Sequence, residues 1–356
     1  MQAWALQQVL KSMGHEAVTI DRQSSPSSHV YKLARFFYRS GMRALGKRKI
    51  PKSFEKYQSI LLQNTSYFIG QNMTISEPLY STQQLREHFL QENYNALIVG
   101  SDQVWRPKYS PNIYNFFADF IDNDIVKIGY AASFGVDRWE YKLWETRKCR
   151  RLARNFDGVS VREKTGVLLC ENKLKVKADF VLDPTLLLSS EAYESLIPAV
   201  TGEAKGKVLS YILDESRYKK EIVLGVSSRL ERPVFSLLPT INDIKGKEKN
   251  LEKCIYPRVE EWLMAFRDAD YVVTDSFHGC VFSIIFRRPF IAVGNYSRGL
   301  SRFKSLLNLL GLKDRLIAGE GVEITSLVER EIDWPKVNSK ILKYKNASLS
   351  YLRKWL

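Results

Sequence analysis

The chain is poor in the residues that build metal and redox sites. Its four cysteines, Cys149, Cys170, Cys254 and Cys280, form no C-x-x-C pair and no cluster with histidine. That scatter excludes a zinc ribbon or a disulfide scaffold, so no metal is expected and a reduced compartment is. No apolar run approaches the roughly 18 residues of a membrane span, and the amino terminus lacks a signal-peptide pattern. The expectation is a cytoplasmic protein. The G-x-G-x-x-G, P-loop, G-x-S-x-G and H-E-x-x-H patterns are all absent. Dinucleotide, P-loop nucleotide, serine-hydrolase and zincin chemistry therefore have no direct support. Histidine is scarce as well, with four in 356 residues, so one held at a ligand-facing corner stands out.

Acidic residues are also outnumbered, and the formal charge is +15. Such a balance attracts polyanions without choosing among nucleic acid, anionic lipid and phosphorylated substrate. Between Lys32 and Lys56 there are nine Lys or Arg residues against the single acid Glu55. The pattern from 30 to 46 is helical, with Lys32, Arg35, Arg39 and Arg43 forming a basic stripe. A basic amphipathic helix of this kind suits the surface of an anionic membrane, and a surface helix packed on its own domain is the plainer alternative. The aromatic-rich motifs of common RNA-binding modules are missing, so nucleic acid is not an expected partner.

Short apolar runs recur, each ending in a polar corner before a helical pattern. Ala96 to Val99 ends at Gly100-Ser101-Asp102, Ile125 to Ala131 at Ala132-Ser133, Gly158 to Val161 at Arg162, and Phe180 to Leu182 at Asp183-Pro184. Ala17 to Ile20 also reads as a strand, after a helix over Gln2 to Met13 that Gly14 ends. A composition shift over 189–206 suggests a linker, after which the pattern restarts with Val208 to Leu213 and Val234 to Leu238. Strand, corner and helix in this alternation predict parallel sheets with ligand-facing loops on one edge. The domains expected are 1–188, 189–335 carrying the Thr274 to Gly279 motif, and a closing helix over 336–356 that packs back on the first.

The most informative segment is Tyr271 to Val293. Tyr271 to Thr274 is a β-branched strand, Asp275 and Ser276 supply cap chemistry, a helix follows, and Arg288-Pro289 stops it before a second strand. His278 falls at a strand's carboxyl end and in a helix's first turn, where open α/β sheets bind ligands and anions are favoured. For any single corner, capping or turn duty is the stronger explanation. Polar corners on successive strands, Ser101/Asp102, Ser133, Arg162 and Asp275/Ser276/His278, point together to one cleft. Arg298 and Arg302, just ahead of another helix, add planar donors suited to carboxylate or phosphate.

Taken in order, several of these segments carry a family resemblance. Leu6-Gln7, Gly100-Ser-Asp-Gln-Val-Trp105, Tyr130-Ala-Ala-Ser-Phe-Gly135, Val159-Ser-Val-Arg-Glu163, Leu182-Asp-Pro-Thr185, Thr274-Asp-Ser-Phe-His-Gly279 and Ser297 to Arg302 together resemble the polysaccharide pyruvyl transferase family. The resemblance implies an α/β protein of two Rossmann-like domains facing across a cleft in a GT-B-like manner. Relatives usually begin with a strand before the first helix, so the first domain is expected to lack that strand. The implied reaction moves the pyruvyl group of phosphoenolpyruvate, a co-substrate with no separate cofactor, onto a pair of sugar hydroxyls as a ketal. The acceptor would be a surface polysaccharide or its precursor, free or lipid-linked, reached from the inner membrane face through residues 30–56.

The same resemblance assigns roles. His278 is expected to be the general acid/base and Arg162 to hold the donor's carboxylate or phosphate. Asp102 or Asp275 would orient a hydroxyl or the imidazole, and Ser101, Ser133, Ser276, Arg298 and Arg302 would complete the substrate contacts. One departure matters: relatives commonly carry R-L-H where this chain has Ser276-Phe277-His278. An anion-binding arginine is absent from that position, and Arg298 or Arg302 is the candidate substitute. The alternative reading is a GT-B-type glycosyltransferase using a nucleotide-sugar donor, distinguished by which leaving group appears.

Overall fold

The computed structural model describes residues 1–24, 57–121, 125–239, 251–294, 299–319 and 324–356. The expected basic helix over 30–46, the wider basic segment 30–56 and Arg298 lie outside them. Helices α1 (Gln2–Ser12), α2 (Gln63–Asn72) and α3 (Thr82–Glu92) precede the first sheet. That sheet comprises β1 (Ala96–Val99), β2 (Val126–Ala132), β3 (Gly158–Val161) and β4 (Asp179–Phe180), side by side in that order and all parallel. Parallel neighbours require crossovers, and α4 (Leu143–Ala153) supplies the one between β2 and β3. Helix α5 (Lys164–Leu169) follows β3.

Several strand boundaries differ from the sequence reading, among them those at 17–20 and 180–182. Residues 17–20 form no strand; Thr19 makes an isolated bridge to Ile75. Gln7 of α1 reaches this bridge, its Nε2 donating to Thr19 Oγ1 at 2.8 Å and to the Thr74 carbonyl at 2.6 Å. Likewise β4 stops at Phe180, and the Leu182 amide donates to Ser348 Oγ at 2.9 Å. Within β2 the register slips between Gly129 and Ala132, with Ala131 at a positive φ of 51°. Ser160 Oγ pins that bulge, donating to the Gly129 carbonyl at 2.8 Å and accepting from the Ala131 amide at 3.2 Å. A bulge re-aims the strand's end, here the segment leading to Ser133.

The second sheet contains β5 (Val208–Tyr211), β6 (Val234–Phe235), β7 (Tyr271–Thr274), β8 (Phe290–Val293) and β9 (Leu316–Ile317), ordered β6-β5-β7-β8-β9 and wholly parallel. Its helices include α6 (Arg217–Leu230), α7 (Val259–Asp268), α8 (Phe277–Ile285) and α9 (Leu300–Leu310). The four residues of β7 are all buried, which explains their unbroken apolar, β-branched character. The order reverses between β5 and β7, the kind of switch point where α/β sheets open a crevice.

One apolar cluster crosses both units. Trp4 of α1 meets Tyr193 at 5.5 Å between ring centroids, and Tyr193 meets Phe282 of α8 edge-on at 5.0 Å. Each such side chain contributes roughly 1.5–3 kcal/mol when fully buried, so the units are joined by core and not by a linker alone. The last helix, α10 (Trp334–Trp355), returns to the first sheet, where Tyr351 Oη donates to the Gly129 carbonyl at 3.0 Å. All four cysteines are free and buried. No helix among the described residues is long and apolar enough to cross a membrane.

Candidate active site

His278 owes its position to three neighbours in sequence. Ser276 caps α8, its Oγ accepting from the Gly279 amide at 3.3 Å. Thr274, the last residue of β7, accepts from the Ser276 amide at 3.0 Å and donates to the Tyr211 carbonyl at 2.9 Å. Gly279 lets the helix seat on that strand end, since a Cβ there would stand 2.2 Å from Thr274 Oγ1. The imidazole is thereby held at the amino terminus of α8, and its Nε2 is buried with no hydrogen-bond partner among the described residues. A buried polar atom without a partner calls for an explanation.

The nearest anion comes from the other unit. Asp183 Oδ2 lies 3.7 Å from His278 Nε2, accepts from Arg162 Nη1 at 2.6 Å and from Gln2 Nε2 at 2.8 Å. Its second oxygen accepts from the amide and hydroxyl of Thr185 at 3.1 and 2.7 Å. Burial pushes the Asp183 carboxyl up, but the His278, Arg162 and Thr185 contacts outweigh it and hold the group well below the usual carboxylate range. It is therefore a carboxylate at every physiological pH. Asp183 was missing from the expected site residues, because Asp-Pro-Thr after a strand also fits a cap, and it does cap the turn Pro184–Leu186.

Arg162, at the end of β3, fills the space between carboxylates. Besides Asp183, its Nη2 donates to Asp102 Oδ1 at 2.7 Å, and Glu163 Oε2 is 3.9 Å from its Nε. Burial alone would lower its pKa, and the three acids reverse that and raise it. Both terminal nitrogens thus donate to protein carboxylates. Arg302, in the first turn of α9, approaches the same Asp102 oxygen at 4.0 Å. Burial and the adjacent Arg162 lower its pKa to about 10, so it remains cationic at neutral pH. Both guanidiniums lie near the Phe277 ring, which is 4.8 Å from Arg162 Cζ and 5.6 Å from Arg302 Cζ. Burial pushes the Asp102 carboxyl up, yet Arg162, His278 and Arg302 together hold it below its ordinary value. Its side chain is about half exposed, at 53%, and forms the accessible acidic edge of the group.

Other expected residues go elsewhere. Asp275 is two residues before Phe277 but points away: its carboxylate accepts from the Leu213 amide at 2.6 Å, the Asp214 amide at 3.2 Å and Lys219 Nζ at 2.6 Å. It closes the crevice between β5 and β7 and does not meet His278. Ser133 is fully buried, donating to Glu163 Oε1 at 2.7 Å and accepting from the Gly135 amide at 3.0 Å. Burial raises the pKa of Glu163 against those contacts. Ser276 serves as a helix cap. Ser101 is buried next to Asp102, its hydroxyl without a partner among the described residues. The structure thus gathers His278, Asp102, Arg162 and Arg302, adds Asp183, and withdraws Asp275 and Ser133.

Among curated proteins none matches the sequence. Solved structures of similar chain path include a UDP-glucosyltransferase from Polygonum tinctorium, 14% identical over 94% of this chain and 97% of that one, with a TM-score of 0.46. Another is the glycotransferase of kitacinnamycin, 12% identical over 96% of this chain and all (100%) of that one, with a TM-score of 0.45. These likenesses are too distant to bear on function. The family model for polysaccharide pyruvyl transferase, in contrast, matches residues 1–297, a span that contains His278, Asp183, Arg162 and Asp102. The chain belongs to the polysaccharide pyruvyl transferase family.

Proposed function

We propose that the protein transfers the pyruvyl group of phosphoenolpyruvate to two hydroxyls of a sugar, forming a ketal on a surface polysaccharide or its precursor. The observation that carries this reading is the buried, unpartnered Nε2 of His278 between the Asp183 carboxylate and the helix amino terminus. A protonated imidazole there would deliver its proton to the methylene carbon of the donor, which becomes the methyl group. The adjacent carbon develops positive charge and is attacked by the first sugar hydroxyl, whose proton returns to the imidazole. A second hydroxyl then displaces phosphate, its proton leaving with the phosphate. One group near neutrality serves as acid and then base, a task suited to histidine. No electrons change hands, so the reaction calls for no redox cofactor.

The donor's carboxylate and phosphate need positive potential where charge develops. Arg302 and the amino terminus of α8 supply it in this proposal. Arg162, already shared by Asp102 and Asp183, acts instead by fixing both carboxylates. Asp102, half exposed, is assigned to orient an acceptor hydroxyl. The basic segment 30–56 is proposed to bring the protein to an anionic membrane surface carrying the acceptor.

The test is phosphate release from phosphoenolpyruvate in the presence of a saccharide panel. His278→Ala should cost on the order of 10²–10⁴-fold in rate with the fold intact by circular dichroism. Near-normal transfer by that variant would overturn the assignment. Release of a nucleoside diphosphate from a nucleotide sugar, with none of phosphate from phosphoenolpyruvate, would instead establish the glycosyltransferase reading.

A further inference from the structure

A second cavity of about 360 Å³ lies where the two units meet, apart from the His278 group. Its lining includes Lys164 and Thr165 from the start of α5, Ser301, Lys304 and Ser305 from the first turns of α9, and Asp137. Helix α9 runs eleven residues and begins at Gly299 without a side-chain cap. Ser301 is only 8% exposed, yet its hydroxyl has no partner among the described residues. The buried hydroxyl of Thr165 is likewise unpartnered there. Ser305 Oγ is occupied, accepting the Lys164 amide at 3.2 Å across the unit boundary. Two ammonium groups thus face one carboxylate, at the positive end of a helix dipole, with two hydroxyls left to donate.

Hydroxyl donors, a helix amino terminus and lysines together form the donor set that recognises phosphate oxygens. An apolar ligand would leave those hydroxyls unsatisfied, and a cation would meet like charge. We infer that this cavity is a phosphate subsite, holding a phosphate or diphosphate group of a substrate while the reacting carbons lie at His278. The assignment rests on the pyruvyl-transfer reading for the substrate's identity but not for the binding itself. Arg162 directly precedes Glu163-Lys164 and Arg302 sits between Ser301 and Lys304, so the same two chain segments line both places. Phosphoenolpyruvate carries its phosphate one oxygen from the reacting carbon, so the group held here belongs to an acceptor presented as a sugar phosphate or lipid diphosphate.

Calorimetric titration of the full chain with inorganic pyrophosphate tests binding without requiring turnover. Lys164 and Lys304 are both exposed, so Lys164→Glu/Lys304→Glu should fold normally. The double variant should bind pyrophosphate at least 10-fold more weakly than wild type. A control, Lys343→Glu/Lys345→Glu on α10, makes the same change in net charge and should bind nearly as wild type. Equal weakening in both, or none in either, would overturn the subsite. Steady-state kinetics then test the source: a raised KM for a phosphorylated acceptor with an unchanged KM for phosphoenolpyruvate is expected, and a raised KM for phosphoenolpyruvate alone would overturn the assignment. Lost pyrophosphate binding in a protein that never releases phosphate from phosphoenolpyruvate would keep the subsite and remove the reaction.

Discussion

Asp183 and His278 belong to different units of the fold, and Asp183 Oδ2 nonetheless lies 3.7 Å from His278 Nε2. That carboxylate also holds Arg162 at 2.6 Å. The proposed acid/base thus depends on how the second unit sits against the first, since helix α8 alone cannot bring it an anion.

Asp183→Asn tests this dependence. The change keeps the shape but removes the charge that faces an imidazolium, so the protonated form loses its anionic neighbour. The limb of the pH–rate profile that requires a proton donor should move to lower pH, with kcat falling roughly 10-fold or more at neutral pH. A merely structural role would lower the yield of folded protein without moving the profile. Stability should respond as well, because removing one member of a buried pair costs about 3 kcal/mol. The sign of the wild-type dependence follows from the depressed carboxyl of Asp183. Its contribution is complete above the ordinary carboxylate range, roughly pH 4, and is lost only as pH falls further toward the folded value. Acid denaturation followed by fluorescence should therefore show a transition in wild type that Asp183→Asn lacks.

Arg302 sits close to Arg162 and is pulled down to about 10 by burial and that neighbour. A cation so placed is relieved by an arriving anion. Phosphoenolpyruvate should raise the thermal midpoint of the wild type, and Arg302→Met should abolish most of that rise. Without ligand the variant should be no less stable than wild type, since one of two crowded positive charges is gone. Differential scanning fluorimetry with and without donor measures both. Retention of the full ligand-induced rise in Arg302→Met would remove Arg302 from the anion contacts.

Much of this was legible in the sequence. The run Tyr271 to Thr274 gave a fully buried strand. Arg162 was legible because it directly follows a strand, and His278 because it opens the helix after one. Asp275 misled because sequence proximity to His278 says nothing of direction: at the strand end its carboxylate turns to the Leu213 and Asp214 amides. Asp183 was hidden for the opposite reason. Its partners Gln2 and His278 are far away in sequence, and an Asp-Pro turn is explained locally as a cap. The strand expected at 17–20 shrinks to the isolated Thr19–Ile75 bridge, and the Asp21 amide just beyond it goes to the Ser76 hydroxyl.

Asp275 and Lys219 form a buried pair at 2.6 Å in the crevice between β5 and β7. Breaking it by Asp275→Asn leaves an ammonium with only the Asp214 carbonyl, a loss of about 3–5 kcal/mol. Urea denaturation should show that loss. The folded fraction should keep the wild-type pH–rate profile, since Asp275 does not touch His278. A displaced profile with unchanged stability would return Asp275 to the catalytic group.

Gly299 packs against the Gly135 backbone across the two units, and both have positive φ, 88° and 73°. A Cβ on Gly299 would fall 1.7 Å from the Gly135 carbonyl oxygen. Gly299→Ala must therefore move backbone against backbone in addition to straining its own conformation. Gly206, at a φ of 74° with nothing near its missing Cβ, separates these two costs. Gly206→Ala should lose only the roughly 1–2 kcal/mol of a left-handed alanine and keep full activity. Gly299→Ala should lose more, and its KM for phosphoenolpyruvate should rise because Arg302, three residues on, shifts with the start of α9. Equal stability and unchanged KM in the two variants would mean that the units can part at Gly299 without disturbing the site.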